Sequence, residues 1–186
     1  MKKALLVTGI CVFALIASGQ SGYSTTELIR KTDRSNGIFS STDLNYAFGL
    51  GTTAVDYSKY FYGLSTVTGY QFGRIMKLGL GLGASSFNAG WLFPAYLHTR
   101  LSLPIDFFVP FIYLDGGYLF SFTDITGRSR PFVDAGAGLH MTLREGLAVN
   151  ISGGLFRHYG GPETKSTLVN FRAGLEFKAR QGASVH

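Results

Sequence analysis

Cysteine is nearly missing from this sequence: the chain of 186 residues contains one, Cys11, near its N-terminus. The chain beyond Cys11 can therefore form neither a disulfide framework nor a thiolate metal site. Charged residues are also scarce, at 15%, and no run of Lys and Arg concentrates the net charge of +6, so we expect no nucleic-acid partner. Mean hydropathy is only +0.18, which is too low for a bundle of membrane-spanning helices.

The N-terminus has the features of a secretory signal. Two lysines stand near the start, and an apolar run extends from Ala4 to Ile16. Small residues stand three positions and one position before Gln20, as a signal-peptidase site requires. The pattern predicts a secretory signal peptide over residues 1–19. The alternative is an uncleaved membrane anchor, but the apolar run is short for a transmembrane helix.

The stretch from Tyr60 to Ala84 shows the clearest periodicity in the chain. Large apolar or hydroxyl-bearing side chains occupy the even positions from Tyr60 to Phe72, with glycine and small polar residues at most positions between them. After a break at Gly73–Lys77, leucines at even positions alternate with glycines. A period of two indicates a β-strand, because successive side chains leave opposite faces. Two such strands across a short break predict an antiparallel hairpin.

This alternation recurs eight times between residues 38 and 178, in strands of roughly 10 to 13 residues, about the length that crosses a bilayer when tilted. Short connections lie near Gly73, Pro104 and Glu145. The longer ones, predicted as loops, are Gly51–Lys59, Ser85–Trp91, Ser121–Arg130 and Tyr159–Ser166. The sequence predicts an all-β fold, an eight-stranded antiparallel up-and-down transmembrane β-barrel.

The two faces of the predicted strands differ in a way that indicates which one is outside. One face carries the large apolar residues, and the other carries glycine and polar residues, so we expect the apolar face to contact lipid. A soluble lipocalin-like barrel is an alternative with the same number of strands. It would place the large apolar side chains inside, and the glycines and polar residues on the second face argue against it.

Three segments resemble small outer-membrane β-barrel proteins of Gram-negative bacteria: Tyr70–Phe72, Leu78–Gly83 and Phe93–Arg100. The resemblance is to the outer membrane protein beta-barrel domain group common in Bacteroidetes, with an OmpA/OmpX-type architecture. It implies residence in the outer membrane, contact with its lipid and lipopolysaccharide, and insertion by the outer-membrane assembly machinery. We expect a monomer without cofactors.

The domain boundaries follow from this barrel. Residues 20–37 are polar and are predicted to be a periplasmic lead-in, the barrel covers 38–178, and residues 179–186 form a C-terminal tail. An even number of strands puts both termini on the periplasmic side. Near the end, Gly174, Leu175 and Phe177 look like the C-terminal signal that the assembly machinery recognises. The tail after Phe177 departs from that pattern, since the signal usually closes the chain.

Eight ionisable residues fall on the inward face by parity. They are Asp43, His98, Arg100, Asp115, Asp134, His140, Arg172 and Glu176. Buried charges must pair or be hydrated, and an eight-stranded barrel is narrow, so we predict a salt-bridged polar plug. The alternative is a gated narrow channel for small ions or solutes, since the inward glycines leave room for water.

One segment raises the hypothesis of an enzyme. Around Phe156–Gly161 the chain resembles lipid A deacylases, small outer-membrane barrels in which a nucleophilic Ser follows a His by two positions. His158 matches the His, but the Ser position is Gly160, and Ser152 lies about 20 Å back along an extended strand. We therefore expect no catalytic residues, no metal site, and His158 at a loop edge at headgroup level.

The predicted role is structural or interactional, with the four loops presented to the outside. Aromatic residues near strand ends are predicted to form girdles at the two membrane interfaces. They are Tyr60, Tyr62, Phe72, Trp91, Phe93, Phe107, Phe108, Tyr118 and Phe120.

Overall fold

The computed structural model describes residues 36–50, 59–87, 90–103, 108–121, 129–144, 146–159 and 165–179. These residues form eight strands: β1 (Gly37–Gly49), β2 (Tyr60–Phe72), β3 (Met76–Phe87), β4 (Gly90–Ser102), β5 (Val109–Phe120), β6 (Arg130–Arg144), β7 (Leu147–Tyr159) and β8 (Lys165–Lys178). The described residues contain no helix long and apolar enough to cross a membrane. The predicted signal peptide and most of the lead-in and tail lie outside these ranges.

The eight strands close into one barrel in chain order. Each strand pairs antiparallel with the next, and β8 pairs antiparallel with β1, so that Leu44 stands opposite Leu64 on one side and Ala173 on the other. Closure leaves no strand edge without a partner, which a sheet surrounded by lipid requires. The predicted eight-stranded antiparallel barrel is confirmed.

The outside of the barrel is apolar, as the alternation predicts. Leu44, Leu80 and Leu82 are about two-thirds exposed, with values of 67%, 70% and 67%. Exposed large apolar side chains occur on all eight strands, which is the pattern of a lipid-facing surface and the reverse of a lipocalin. The fold is therefore a transmembrane β-barrel.

The two ends of the barrel differ in their connections, and we call them the turn end and the loop end. The turn end holds the β2–β3 turn at Gly73–Ile75, the β6–β7 turn at Gly146, the start of β1 and the end of β8. The loop end holds the end of β1 and the start of β2. Backbone hydrogen bonds at the turn end join the end of β8 to its neighbours, from Lys178 to Gly146 at 2.9 Å and from Ala179 to Ile38 at 3.0 Å.

Several predicted boundaries are wrong because polar or glycine positions inside strands were assigned to connections. The Ser85–Trp91 segment belongs to β3 and β4 except for residues 88–89, which lie outside the described residues. Ser86 pairs with Trp91 across this hairpin, so the alternation continues past the predicted loop. Lys77, assigned to a turn, is the second residue of β3. The predicted loop centres at 51–58, 122–128 and 160–164 also lie outside the described residues.

Inward glycines are required where neighbouring strands approach closely, and two adjacent glycines in β5 test this. A Cβ added at Gly117 would lie 2.6 Å from Tyr96 Cα and 2.7 Å from Tyr96 Cβ, whereas a Cβ at outward Gly116 would meet nothing within 4 Å. We expect Gly117→Ala to lower the free energy of unfolding by about 1–3 kcal/mol through overpacking. Gly116→Ala should change it by less than about 0.5 kcal/mol.

The two variants are compared by urea titration in lipid vesicles. The folded fraction at each urea concentration is read from the difference in gel mobility between heated and unheated samples. Equal stabilities for the two variants would contradict the inward assignment of Gly117.

Candidate functional site: the interior of the barrel

The middle of the barrel is organised around Arg172 on β8. Its Nη1 donates to Asp115 Oδ2 at 2.6 Å, and its Nη2 donates to Asp134 Oδ2. Both carboxylates are fully buried. Two neutral donors complete the site at Asp134: Tyr113 Oη donates to Oδ1 at 3.2 Å, and Asn170 Nδ2 donates to Oδ2 at 2.6 Å. One guanidinium thus bridges two strands, since β5 supplies Asp115 and β6 supplies Asp134.

Two further predicted residues border this middle layer. His98 Nδ1 lies 2.5 Å from Asp115 Oδ1, so Asp115 is held from both sides, by the imidazole and by the guanidinium. Asp43 on β1 accepts a hydrogen bond from Ser41 Oγ at 3.1 Å. Gly174 faces Asp43 so closely that an added Cβ would overlap its carboxylate. The glycine therefore makes the room that this carboxylate occupies.

A second charged cluster lies towards the turn end, around Glu176. Lys77 Nζ donates to Glu176 Oε1, and Arg100 Nη1 donates to Oε2 at 3.1 Å. Asn150 links the members, since its Nδ2 donates to Glu176 Oε2 at 3.2 Å and its Oδ1 accepts from Arg100 at 3.1 Å. His140 Nδ1 lies 2.8 Å from the same Asn150 oxygen. Each of these side chains is at most 6% exposed.

The structure places all eight predicted interior residues inside the barrel and brings them into these two adjoining clusters. Sequence reasoning missed Lys77 and did not assign partners to Tyr113, Asn150 or Asn170. The signal for Lys77 was present, because it continues the odd-numbered inward positions of Gly79 and Gly81. Lys77 was missed because it was assigned to the break at Gly73–Lys77.

The loop half of the interior holds a cluster of apolar side chains, close to the buried Arg130 and His158, and the sequence reasoning did not predict this cluster. Near the loop end every strand contributes one inward apolar residue, and we call these eight the apolar ring: Ala47, Phe61, Phe87, Leu92, Leu119, Phe132, Phe156 and Leu168. Its aromatic members contact one another, with ring centroids 4.7 Å apart for Phe61–Phe87 and 5.1 Å apart for both Phe61–Phe156 and Phe132–Phe156. The charged clusters lie in the middle and the turn half, where Phe39, Val67 and Phe111 are also buried, so the predicted polar interior describes these parts only incompletely.

The position predicted for His158 is wrong. This residue lies in β7 with its side chain inward and 1% exposed, and not at a loop edge at headgroup level. The imidazole of His158 packs against two members of the apolar ring. Its centroid lies 6.2 Å from the centroid of the Phe156 side chain and 6.4 Å from that of Phe87. The alternation of β7 extends to Tyr159, which turns His158 inward together with Phe156. Gly160 lies outside the described residues.

The remaining predictions concern the strand ends and metal binding. Leu175 and Phe177 of the predicted assembly signal point outward and are exposed, whereas Gly174 points inward. Their recognition by an assembly machine stays a prediction. Among the residues that the structure describes, no three His, Cys, Asp or Glu side chains are grouped so that they could hold a metal ion.

A closed barrel of eight antiparallel strands with an apolar outside and a charged centre has the fold of the small outer-membrane β-barrel proteins. Among solved structures, the chain is similar to the N-terminal β-barrel domain of Pseudomonas aeruginosa OprF, with 15% identity, a TM-score of 0.50, and coverage of 77% of this chain and 100% of that one. It is also similar to Neisserial surface protein A, NspA, with 11% identity, a TM-score of 0.51, and coverage of 78% and 99%. No protein-family model and no curated protein match the chain.

Proposed function

We propose that this chain is an integral protein of the outer membrane of a Gram-negative bacterium, with a closed interior and a structural or surface-interaction role. The signal-peptide pattern over residues 1–19 supports export, and the apolar outside supports insertion into lipid. Both chain ends leave the barrel at its turn end, which we assign to the periplasm because short turns face that side in such barrels. The loop end then faces outward.

The filling of the interior is the observation that carries this proposal. Two charged clusters and the apolar ring together occupy the barrel from the turn end to the loop end. The cavity between the middle layer and the apolar ring has a volume of about 30 Å³, which is room for about two waters. A barrel with a filled interior has no open path for solutes, which favours a structural role in the membrane or the presentation of its loops at the surface.

The lipid contacts that we propose lie at the strand ends. Tyr62 and Trp91, at the loop end, point outward and are 55% and 52% exposed, and Phe72 at the turn end is 46% exposed. Amphipathic aromatic side chains prefer the headgroup region, so these residues are proposed to form two girdles against outer-membrane lipid and lipopolysaccharide. Insertion by the assembly machinery through Gly174, Leu175 and Phe177 is part of the same proposal.

No catalytic activity is proposed. His158 packs against Phe87 and Phe156, and a nucleophile would have to reach it within hydrogen-bond distance. Ser152 is the inward hydroxyl of the same strand, six residues back, and faces a different level of the barrel. This separation puts Ser152 out of hydrogen-bond reach of His158.

A narrow, porin-like channel is the second candidate. It is favoured by small cavities among polar side chains in the turn half, including one lined by Asp43, Arg100 and Arg172. Such cavities can hold water beside charges that would order ions.

Expression of the full chain in a Gram-negative host tests both candidates. We expect processed protein with Gln20 at its N-terminus in the outer-membrane fraction, with heat-modifiable gel mobility, and no conductance steps in a planar bilayer. Discrete steps from correctly folded protein would replace the closed barrel with the channel. Protein that stays in the inner-membrane fraction would contradict the location.

A further inference from the structure

We propose that the apolar ring is the seal of this barrel, and that water and small ions reach the charged clusters beneath it from the turn end. This inference rests on the proposed function, in which the intact barrel is closed. It assigns the closure to one half of the interior and makes the other half a one-sided polar entry.

The first observation is that the apolar ring is complete around the barrel. All eight strands contribute to it, and none of its side chains is more than 6% exposed. The ring contains no group that can replace the hydration shell of an ion. A constriction of this kind closes a pore by excluding water, since an unpaired charge there loses its hydrogen bonds without compensation.

The second observation is that small cavities follow one another from the turn end to the underside of the ring. The lowest cavity is bounded by the β6–β7 turn at Gly146 and by Glu176. Glu176 also lines the middle cavity, and Arg172 lines both the middle cavity and the one under the ring. Each cavity has a volume of about 20–30 Å³, which is enough for one or two waters.

The chemistry of the two halves explains why the ring and not the charged clusters forms the seal. Glu176, Arg100 and Arg172 have polar atoms beside these cavities, so water or an ion that enters can exchange one polar partner for another. Nothing in the apolar ring offers such an exchange. The barrier to passage therefore lies at Phe61, Phe132 and Phe156.

Conductance of ring variants is the first test. The double variant Phe132→Ala/Phe156→Ala is expected to show discrete steps in a planar bilayer where the parent shows none. The matched control Phe171→Ala, which removes an outward phenylalanine on β8 that is 51% exposed, should stay silent. The cluster variant Lys77→Met/Glu176→Gln should also stay silent.

Steps from the cluster variant together with a silent ring variant would overturn the inference, because they would place the seal in the charged clusters. Steps from the parent would instead contradict the proposed function, so the two failures are distinguishable. Heat-modifiable mobility decides which variants are folded. If the ring variant does not fold, the access measurement below decides the question on a nearly unchanged protein.

Access to the interior can be measured with silver ions, because the chain beyond the signal peptide contains no cysteine. Ser152 lines the middle cavity and is buried, so Ser152→Cys places a thiol below the ring. In vesicles in nitrate buffer, silver added at the turn end should block this thiol about tenfold faster than silver added at the loop end. The remaining thiol is counted with a fluorescent maleimide after denaturation.

Cysteines at two exposed positions serve as orientation controls, because they show which end of the barrel faces the outside of the vesicle. These variants are Ile75→Cys in the β2–β3 turn and Leu50→Cys at the loop end. Faster blocking from the loop end, equal rates from both ends, or protection from both ends would each overturn the inference.

Discussion

Replacing Arg172 by methionine is expected to lower the free energy of unfolding by about 3–5 kcal/mol, the cost of leaving buried charges without their partner. Asp115 and Asp134 are both fully buried, and Arg172 donates to both. Without the guanidinium, Asp134 keeps only the neutral donors Tyr113 and Asn170. The measurement is urea unfolding of the protein in lipid vesicles.

A matched control removes a guanidinium of the neighbouring strand. Arg157 on β7 points outward, and its Cζ lies 5.3 Å from the centroid of the Tyr159 ring. Arg157→Met should cost less than about 1 kcal/mol, as expected for an exposed charge. Adding Asp115→Asn and Asp134→Asn to Arg172→Met should restore most of the loss, since the unpaired charges are then gone. A loss of similar size for Arg157→Met, or no recovery in the triple variant, would contradict a structural role for this ion cluster.

Leu80→Arg is expected to destabilise the barrel by about 2–4 kcal/mol, the cost of an arginine near the bilayer midplane. Leu80 lies in the middle of β3, faces outward and is 70% exposed. Its neighbours on the adjoining strands, Thr68 and Leu97, provide no anionic partner. The charge would therefore have to reach the headgroups along an apolar surface or thin the bilayer around it.

The depth dependence of this cost supplies the control. Phe72 also faces outward but ends β2, so Phe72→Arg should cost about 0–1 kcal/mol. Both variants are compared with the parent by urea titration in the same vesicles. Equal costs at Leu80 and Phe72 would mean that the outward face of β3 does not lie in the hydrocarbon layer.

Much of the fold could be predicted because the alternation in each strand is local. From Leu78 to Leu82, leucine and glycine alternate, and this pattern alone assigns the leucines to lipid and the glycines to the interior. Strand ends were harder to predict, because small polar residues such as Ser85 also suit loops. The inward direction of His158 was missed for the same reason, since the glycines after it suggested that β7 had already ended.

The sequence by itself determined the number of strands, their antiparallel order and the face on which side chains lie away from the strand ends, because a two-residue period needs only neighbouring positions. Which inward side chains share a level was decided by the tertiary structure alone. Closure and stagger of the barrel bring Arg172 on β8 to Asp115 on β5 and Asp134 on β6. The same stagger gathers one apolar residue from every strand into a ring above them. Level depends on the register between strands and on their tilt, which arise only when the sheet closes.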